Sequence, residues 1–236
     1  MTSPGRGDAG AAAGAERRAS ARPGVGGLVV GFDLDMTLLD TRPGVRATVR
    51  ALNAELGTRI DGDAVADGLG PPLEEVVARY VPAADVHPVC DRFRVLYARH
   101  GPPGSFLLPG AADAVAAARA RGRVLVVTAK YEPNAHRCLR AVGLQVDAVV
   151  GWRHGPAKAE TLAAHAAACY VGDTPADMAA ARSAGAVPVG VTTGPWPADA
   201  LLRAGASVVL DSLEDLPAWL LRFGSGTSTG DRPPRS

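Results

Sequence analysis

Lysine is nearly missing from this chain: of 25 basic residues, 23 are arginines, and only Lys130 and Lys158 carry an ammonium group. An ammonium is compact, with three donors on a flexible stem, so a chain that uses guanidinium almost everywhere marks those two positions for attention. Cysteine is scarce too. Cys90, Cys138 and Cys169 are odd in number and far apart, and they form no CxxC pair. That excludes a disulfide framework and a zinc site of the usual spacing, and suits a reducing cytoplasm. Charge of either sign is not in excess, with a formal net charge of +1. No long-range field therefore draws the chain to nucleic acid or to an anionic membrane. No apolar run approaches the roughly 18 residues that would span a bilayer. What is present is ordinary globular composition, 47% hydrophobic and 21% charged. Residues 1–27, rich in Gly, Ala and Arg, read as a disordered tail with no signal-peptide pattern, and 223–236 as a second one.

Between these tails, short β-branched apolar runs recur at 28–32, 124–127, 146–150, 170–171, 187–191 and 207–210. They do not alternate with polar residues, which suits strands of a parallel sheet covered on both faces. Ala-rich helical patterns lie between them at 111–121, 133–142, 157–167, 175–184 and 197–204. Pro133, Pro175 and Pro197 open helices at a tolerated first-turn position, and glycines close them. Strand–helix alternation of this kind predicts a doubly wound α/β sheet, a Rossmann-like core over 28–42 and 105–222. Residues 43–104 break the rhythm. They carry only helical patterns (45–56, 64–69, 73–81 and 84–99) punctuated by prolines, and read as a small all-helical cap inserted after the first strand.

Chemistry-bearing residues fall at the carboxyl ends of the apolar runs, the side on which open α/β sheets bind ligands. Asp33 and Asp35 follow the first run, Thr128 closes the second, Lys158 opens the helix after the third and Asp173 follows the fourth. Taken singly, each has a plain structural reading: aspartates in turns, a threonine ending a strand, Thr174-Pro175 starting a helix. All of them in order, on the correct elements, point to one site. Several carboxylates in one crevice repel one another unless a divalent cation relieves them, and all-oxygen ligation favours Mg²⁺. Five histidines show no ligand spacing, although His154 lies near Lys158. Trp152, Trp196 and Trp219 read as packing residues. Arg42 reads equally as a substrate contact and as a surface charge at the cap's edge.

The segments Asp33-Leu34-Asp35-Met36-Thr37, Thr128, Lys158 and Gly172-Asp173-Thr174-Pro175-Ala176-Asp177 resemble the four motifs of the haloacid dehalogenase-like hydrolase superfamily. Thr128-Ala129-Lys130, 181–185 and the cap resemble its phosphoglycolate phosphatase-like branch. The resemblance implies a phosphatase acting on a small phosphorylated metabolite. In it Asp33 is the nucleophile and Asp35 the general acid and base, while Thr128, Ala129 and Lys158 bind the phosphoryl group. Asp33, Asp35 (through its main-chain carbonyl) and Asp173 hold Mg²⁺, with Asp177 and Lys130 in secondary roles. Two departures bear on substrate identity: Met36 stands where such phosphatases often have Gly, and the loop before Lys158 lacks the relatives' Lys-Pro pair. The alternatives are a sugar-phosphate mutase resembling β-phosphoglucomutase and a silenced phosphate- or partner-binding protein. A phosphonate-cleaving enzyme needs a cap lysine, and 43–104 contains none.

Overall fold

The computed structural model describes residues 27–223. The expected tails lie outside the described residues, save Gly27 and Phe223 at their inner ends. Along the chain the elements are β1 (Leu28–Phe32), β2 (Leu39–Asp40), α1 (Arg42–Leu56), α2 (Gly62–Asp67), α3 (Leu73–Val77), α4 (Val86–His100) and β3 (Phe106–Leu107). There follow α5 (Ala111–Arg121), β4 (Gly122–Val127), α6 (Glu132–Ala141), β5 (Ala148–Val150), α7 (Pro156–Ala164) and β6 (Cys169–Gly172). The series closes with α8 (Pro175–Ser183), β7 (Val187–Val191), α9 (Ala198–Arg203), β8 (Val208–Leu210) and α10 (Leu216–Arg222). No described helix is long and apolar enough to cross a membrane.

Six strands form one parallel sheet in the order β5-β4-β1-β6-β7-β8. Its strands read as unbroken apolar runs because both faces are covered. Val124 and Val126 pack into the larger hydrophobic cluster, while their neighbours Leu125 and Val127 pack with Leu162 and Tyr170 on the other side. The central strand β1 pairs with β4 on one edge and β6 on the other, so that Phe32 stands level with Val126 and with Val171. Chain direction across the sheet reverses at β1, and this places a crevice at its carboxyl end.

Two features were not foreseen. Beyond β1 the chain makes one tight turn, with Leu38 and Leu39 both donating to the Leu34 carbonyl. It then forms a two-stranded antiparallel piece, Leu39–Asp40 against Phe106–Leu107. Each strand has two residues, too few for any periodicity to show. This ribbon joins the helical segment to the core on both of its connections. Just inside it, Gly44 and Gly104 let the outgoing and returning chains touch: a Cβ on Gly44 would collide with the Gly101 backbone, and one on Gly104 with the Gly44 backbone. Arg42 does not enter the cavity described below; it closes on Asp40 through Nη2 at 2.7 Å.

Candidate active site

Asp33 is the residue after β1, and its backbone N–H still donates to Val171 O at 2.8 Å, which holds the side chain at the crevice. Thr128 is the residue after β4, tied to β5 by a bond from its N–H to Val150 O at 3.1 Å. Asp173 is the residue after β6. Since β1 lies between β4 and β6, these three side chains come from adjacent strands at one level. Lys158 reaches the same place from the first turn of α7, and Asp177 from the first turn of α8, where Thr174 and Asp177 form a capping box. Asp33, Thr128, Lys158, Asp173 and Asp177 are all buried, Lys158 with only 5% of its surface exposed.

Lys158 Nζ donates to Asp33 Oδ1 at 2.9 Å and to Asp177 Oδ1 at 2.6 Å. Burial works against its charge, but the Asp177 and Asp33 carboxylates outweigh it and hold its pKa well above the ordinary value. Carboxylate oxygens of Asp33, Asp173 and Asp177 lie within 4.8 Å of one another. Burial, and then the Asp177 and Asp33 charges, pushes Asp173 far up. Asp33 is pushed up to about 7, chiefly by burial, against the opposing pull of Lys158. Both acids are raised first by burial, and the neighbouring carboxylates add to it.

Asp35 stands apart from this triad. Its carboxylate accepts from Thr41 Oγ1 and pairs with Lys130 Nζ at 2.9 Å. Lys130 in turn sits over the Tyr97 ring, 4.4 Å from the centroid. Burial opposes the Lys130 charge, yet the Asp35 carboxylate raises its pKa above the usual ammonium range. Both lysines of the chain, Lys158 buried and Lys130 half-buried, are therefore committed to aspartates of the first motif. Ala129 lines the same cavity between Thr128 and Lys130.

Several contributors were given no role by the sequence, although Thr37 stands in the first motif. Thr37 donates to Asp173 Oδ1 at 2.8 Å. Tyr170 lies beneath the site, donating to Val127 O at 2.7 Å with the Lys158 ammonium 5.4 Å from its ring. Gly194 presses against Asp173, and any Cβ there would occupy the space of Oδ2. The turn after β1 also explains Met36: it adopts φ +59°, a left-handed conformation that glycine enters freely and other residues enter at a cost. Its carbonyl is pinned by Thr193 Oγ1 at 2.5 Å. Expected packing roles fail for Trp152, which is 57% exposed on the cavity's rim, and His154 lines the cavity too.

The haloacid dehalogenase-like hydrolase sequence profile matches residues 28–185, and a second, HAD-hydrolase-like profile matches 155–216. The chain belongs to the haloacid dehalogenase-like hydrolases. Phosphoglycolate phosphatase of Rhodospirillum rubrum is 31% identical over 227 residues, covering 85% of this chain and 92% of the relative. Tyrosine-protein kinase PtkA of Mycobacterium tuberculosis is 32% identical over 131 residues, 55% of this chain. That match spans 45% of the relative, so the chain covers about half the length of this protein. Among solved structures, a haloacid dehalogenase-like family hydrolase from Streptococcus pneumoniae superposes with a TM-score of 0.70 at 22% identity, over 83% of this chain and 97% of that one. At that identity the superposition speaks for the hydrolase fold alone.

The cap side closes over the site. The loop between α2 and α3 brings Gly70, at φ +136°, to the floor, where an added Cβ would lie 3.4 Å from Thr174 Cγ2. From α4, Arg94 O accepts from Asn134 Nδ2 at 3.0 Å, and Tyr97 meets Lys130 as described. Floor and cap line a partly open cavity of about 540 Å³.

Proposed function

We propose that this hydrolase is a phosphatase that uses Mg²⁺ to hydrolyse a small phosphomonoester through an aspartyl phosphate on Asp33. The observation that carries the reading is a charge imbalance. Four buried or half-buried carboxylates (Asp33, Asp35, Asp173, Asp177) face two ammonium groups, an excess of two negative charges when all are ionised. An all-oxygen donor set short of two positive charges fits Mg²⁺, which keeps waters and shares its shell with a phosphate. Asp33, Asp173 and the Asp35 main-chain carbonyl would hold it. When bound, it supplies positive charge to the phosphoryl oxygens. Asp177 is committed to Lys158 and to the α8 N-terminus, so its part is to orient the ammonium.

Thr128, Lys158 and the Ala129 backbone bind the phosphoryl group. A carboxylate oxygen of Asp33 attacks phosphorus, the bond from phosphorus to the alcohol oxygen breaks, and Asp35 gives that oxygen its proton. Asp35, fixed by Thr41 and Lys130, then takes a proton from a water whose oxygen attacks phosphorus. The Asp33–phosphorus bond breaks, inorganic phosphate leaves, and both side chains are restored. A deep cavity roofed by the cap and open at its Trp152 rim favours a small phosphorylated metabolite over a bulky polymer end. The test is phosphate release from small phosphoesters with and without Mg²⁺, together with acid-quenched labelling of Asp33. Release that ignores chelation, or label on another residue, would sink the reading.

A further inference from the structure

We infer that the alcohol carried by the substrate is uncharged and apolar, an aromatic ring above all, so that phosphates of hydroxy acids and sugars are poor ligands. The inference rests on the phosphatase reading and concerns the part of the cavity that faces away from the floor. That wall is built from Leu69, Leu73, Val76, Phe93, Tyr131 and Trp152. A cavity of about 540 Å³ with such a lining is of the size and kind that encloses a small organic group.

The lysines, the arginine and the amide near this wall are already engaged. Arg94 closes on Glu74 and on Asp91, with its guanidinium 5.3 Å from the Trp152 ring. Asn134 donates to Arg94 O and accepts from Arg137 Nη1 at 3.2 Å. Lys130 and Lys158 belong to Asp35, Asp33 and Asp177. His154 and the Tyr131 phenol are the remaining ionisable side chains on this side among the described residues. A glycolate-type carboxylate would therefore lose its water with no arginine or lysine free to receive it, and the several hydroxyls of a sugar would outnumber the His154 ring and the Tyr131 hydroxyl. The aromatic side of the wall is held in place at a cost. Trp152 takes φ +53°, unfavourable for so bulky a side chain, and its exposed ring meets Tyr131 at 5.0 Å between centroids. Strain kept at a cavity's rim marks a functional position, and an exposed indole offers a face for a flat ring.

The experiment uses the full chain with Mg²⁺. Calorimetry compares benzylphosphonate with phosphonoacetate, and steady-state kinetics compare benzyl phosphate with phosphoglycolate. The ring should win by about 30-fold in Kd and in kcat/KM, the scale of burying one phenyl group. Trp152→Ala should shrink that ratio about tenfold, since it removes the ring's platform. Phosphonoacetate binding as tightly as benzylphosphonate, binding of neither, or equal loss of both ligands in Trp152→Ala each overturn the inference. Tight benzylphosphonate binding without any phosphate release would leave it standing and remove the phosphatase reading. Phosphate release that favours phosphoglycolate would do the reverse.

Discussion

Four carboxylates and two ammonium groups make the floor of the cavity, whereas the cap side facing them offers Leu69, Leu73, Val76 and Phe93 and one closed Arg94–Glu74 pair. The floor gathers at the strand ends of the sheet: Asp33 and Asp173 directly follow β1 and β6, and Lys158 and Asp177 reach in from the first turns of α7 and α8. The cap sets two 15-residue helices, α1 and α4, beside the short α2 and α3, and joins the core through a two-residue ribbon and the Gly44–Gly104 crossing. Charge must be placed to within a fraction of an ångström to assist phosphoryl transfer, and a sheet can do that. An apolar wall needs only shape, which helices and a proline-rich loop supply. On the proposed function, the contrast assigns reaction type to the floor and choice of alcohol to the cap together with Tyr131 and Trp152 of the core.

The sharpest way to break that division is at the floor. Asp33→Asn should lower kcat at least about 10³-fold with every phosphoester, because it removes the nucleophile, while circular dichroism stays native. Near-wild-type rates would end the mechanism. Gly194→Ala comes next: its Cβ would fill the space of Asp173 Oδ2, so Mg²⁺ affinity and kcat should fall about 10- to 100-fold, the range seen when a ligand's support is lost. Titrating activity against Mg²⁺ separates the two effects. If the variant needs no more Mg²⁺ than the parent, Asp173 is not a ligand.

A stability measurement tests the floor's charge imbalance without catalysis. Folded Asp33 titrates near 7, above its unfolded value of 3.8, so in that window the folded state holds more protons than the unfolded one. Stability must then fall as pH rises from about 4 to about 7, and Asp173, also raised, adds to the slope. In chelator, the melting temperature should drop over that window by several degrees, and Mg²⁺ should flatten the slope by supplying the missing charge. A melting temperature that rises across this range in chelator contradicts the imbalance.

At the cap, Phe93→Ala empties a nearly buried position beside Tyr97, with ring centroids 5.7 Å apart, and should cost about 3 kcal/mol of stability. Its catalytic effect should differ from one phosphoester to another, where the floor variants reduce all of them alike. Uniform loss would erase the division between floor and cap. The smallest effect is expected at Met36→Gly. It relieves about 1 kcal/mol of left-handed strain but gives up a side chain only 3% exposed, so melting should shift by no more than a few degrees.

Apolar runs such as 28–32 and 187–191 match β1 and β7 residue for residue, and 111–121 matches α5. These were legible because a strand buried on both faces must be continuously apolar and because proline and glycine punctuate helices by local sterics. That Asp33, Asp35, Thr128 and Asp173 gather at the crevice was legible from their places after strands, and Lys158 from its place at the opening of a helix. The ribbon of β2 and β3 was not, since two residues hold no pattern. Trp152 was misread as a packing residue because tryptophan is apolar wherever it sits, and only its left-handed backbone at the cavity's rim shows its exposure.

By itself, then, the order of residues determined the α/β rhythm, the helical interruption and the set of acids, hydroxyl and lysines, all matters of local spacing. That β1 lies between β4 and β6, bringing Asp33, Thr128 and Asp173 level, was decided by strand pairing between residues far apart in the chain. The pairing of Lys130 with Asp35 and of Lys158 with Asp33 and Asp177 was decided the same way, as were the pressure of Gly194 on Asp173 and the apolar roof over them all. A contact across a hundred residues leaves no trace in local spacing, because its energy is gained only once the sheet has closed and water has left.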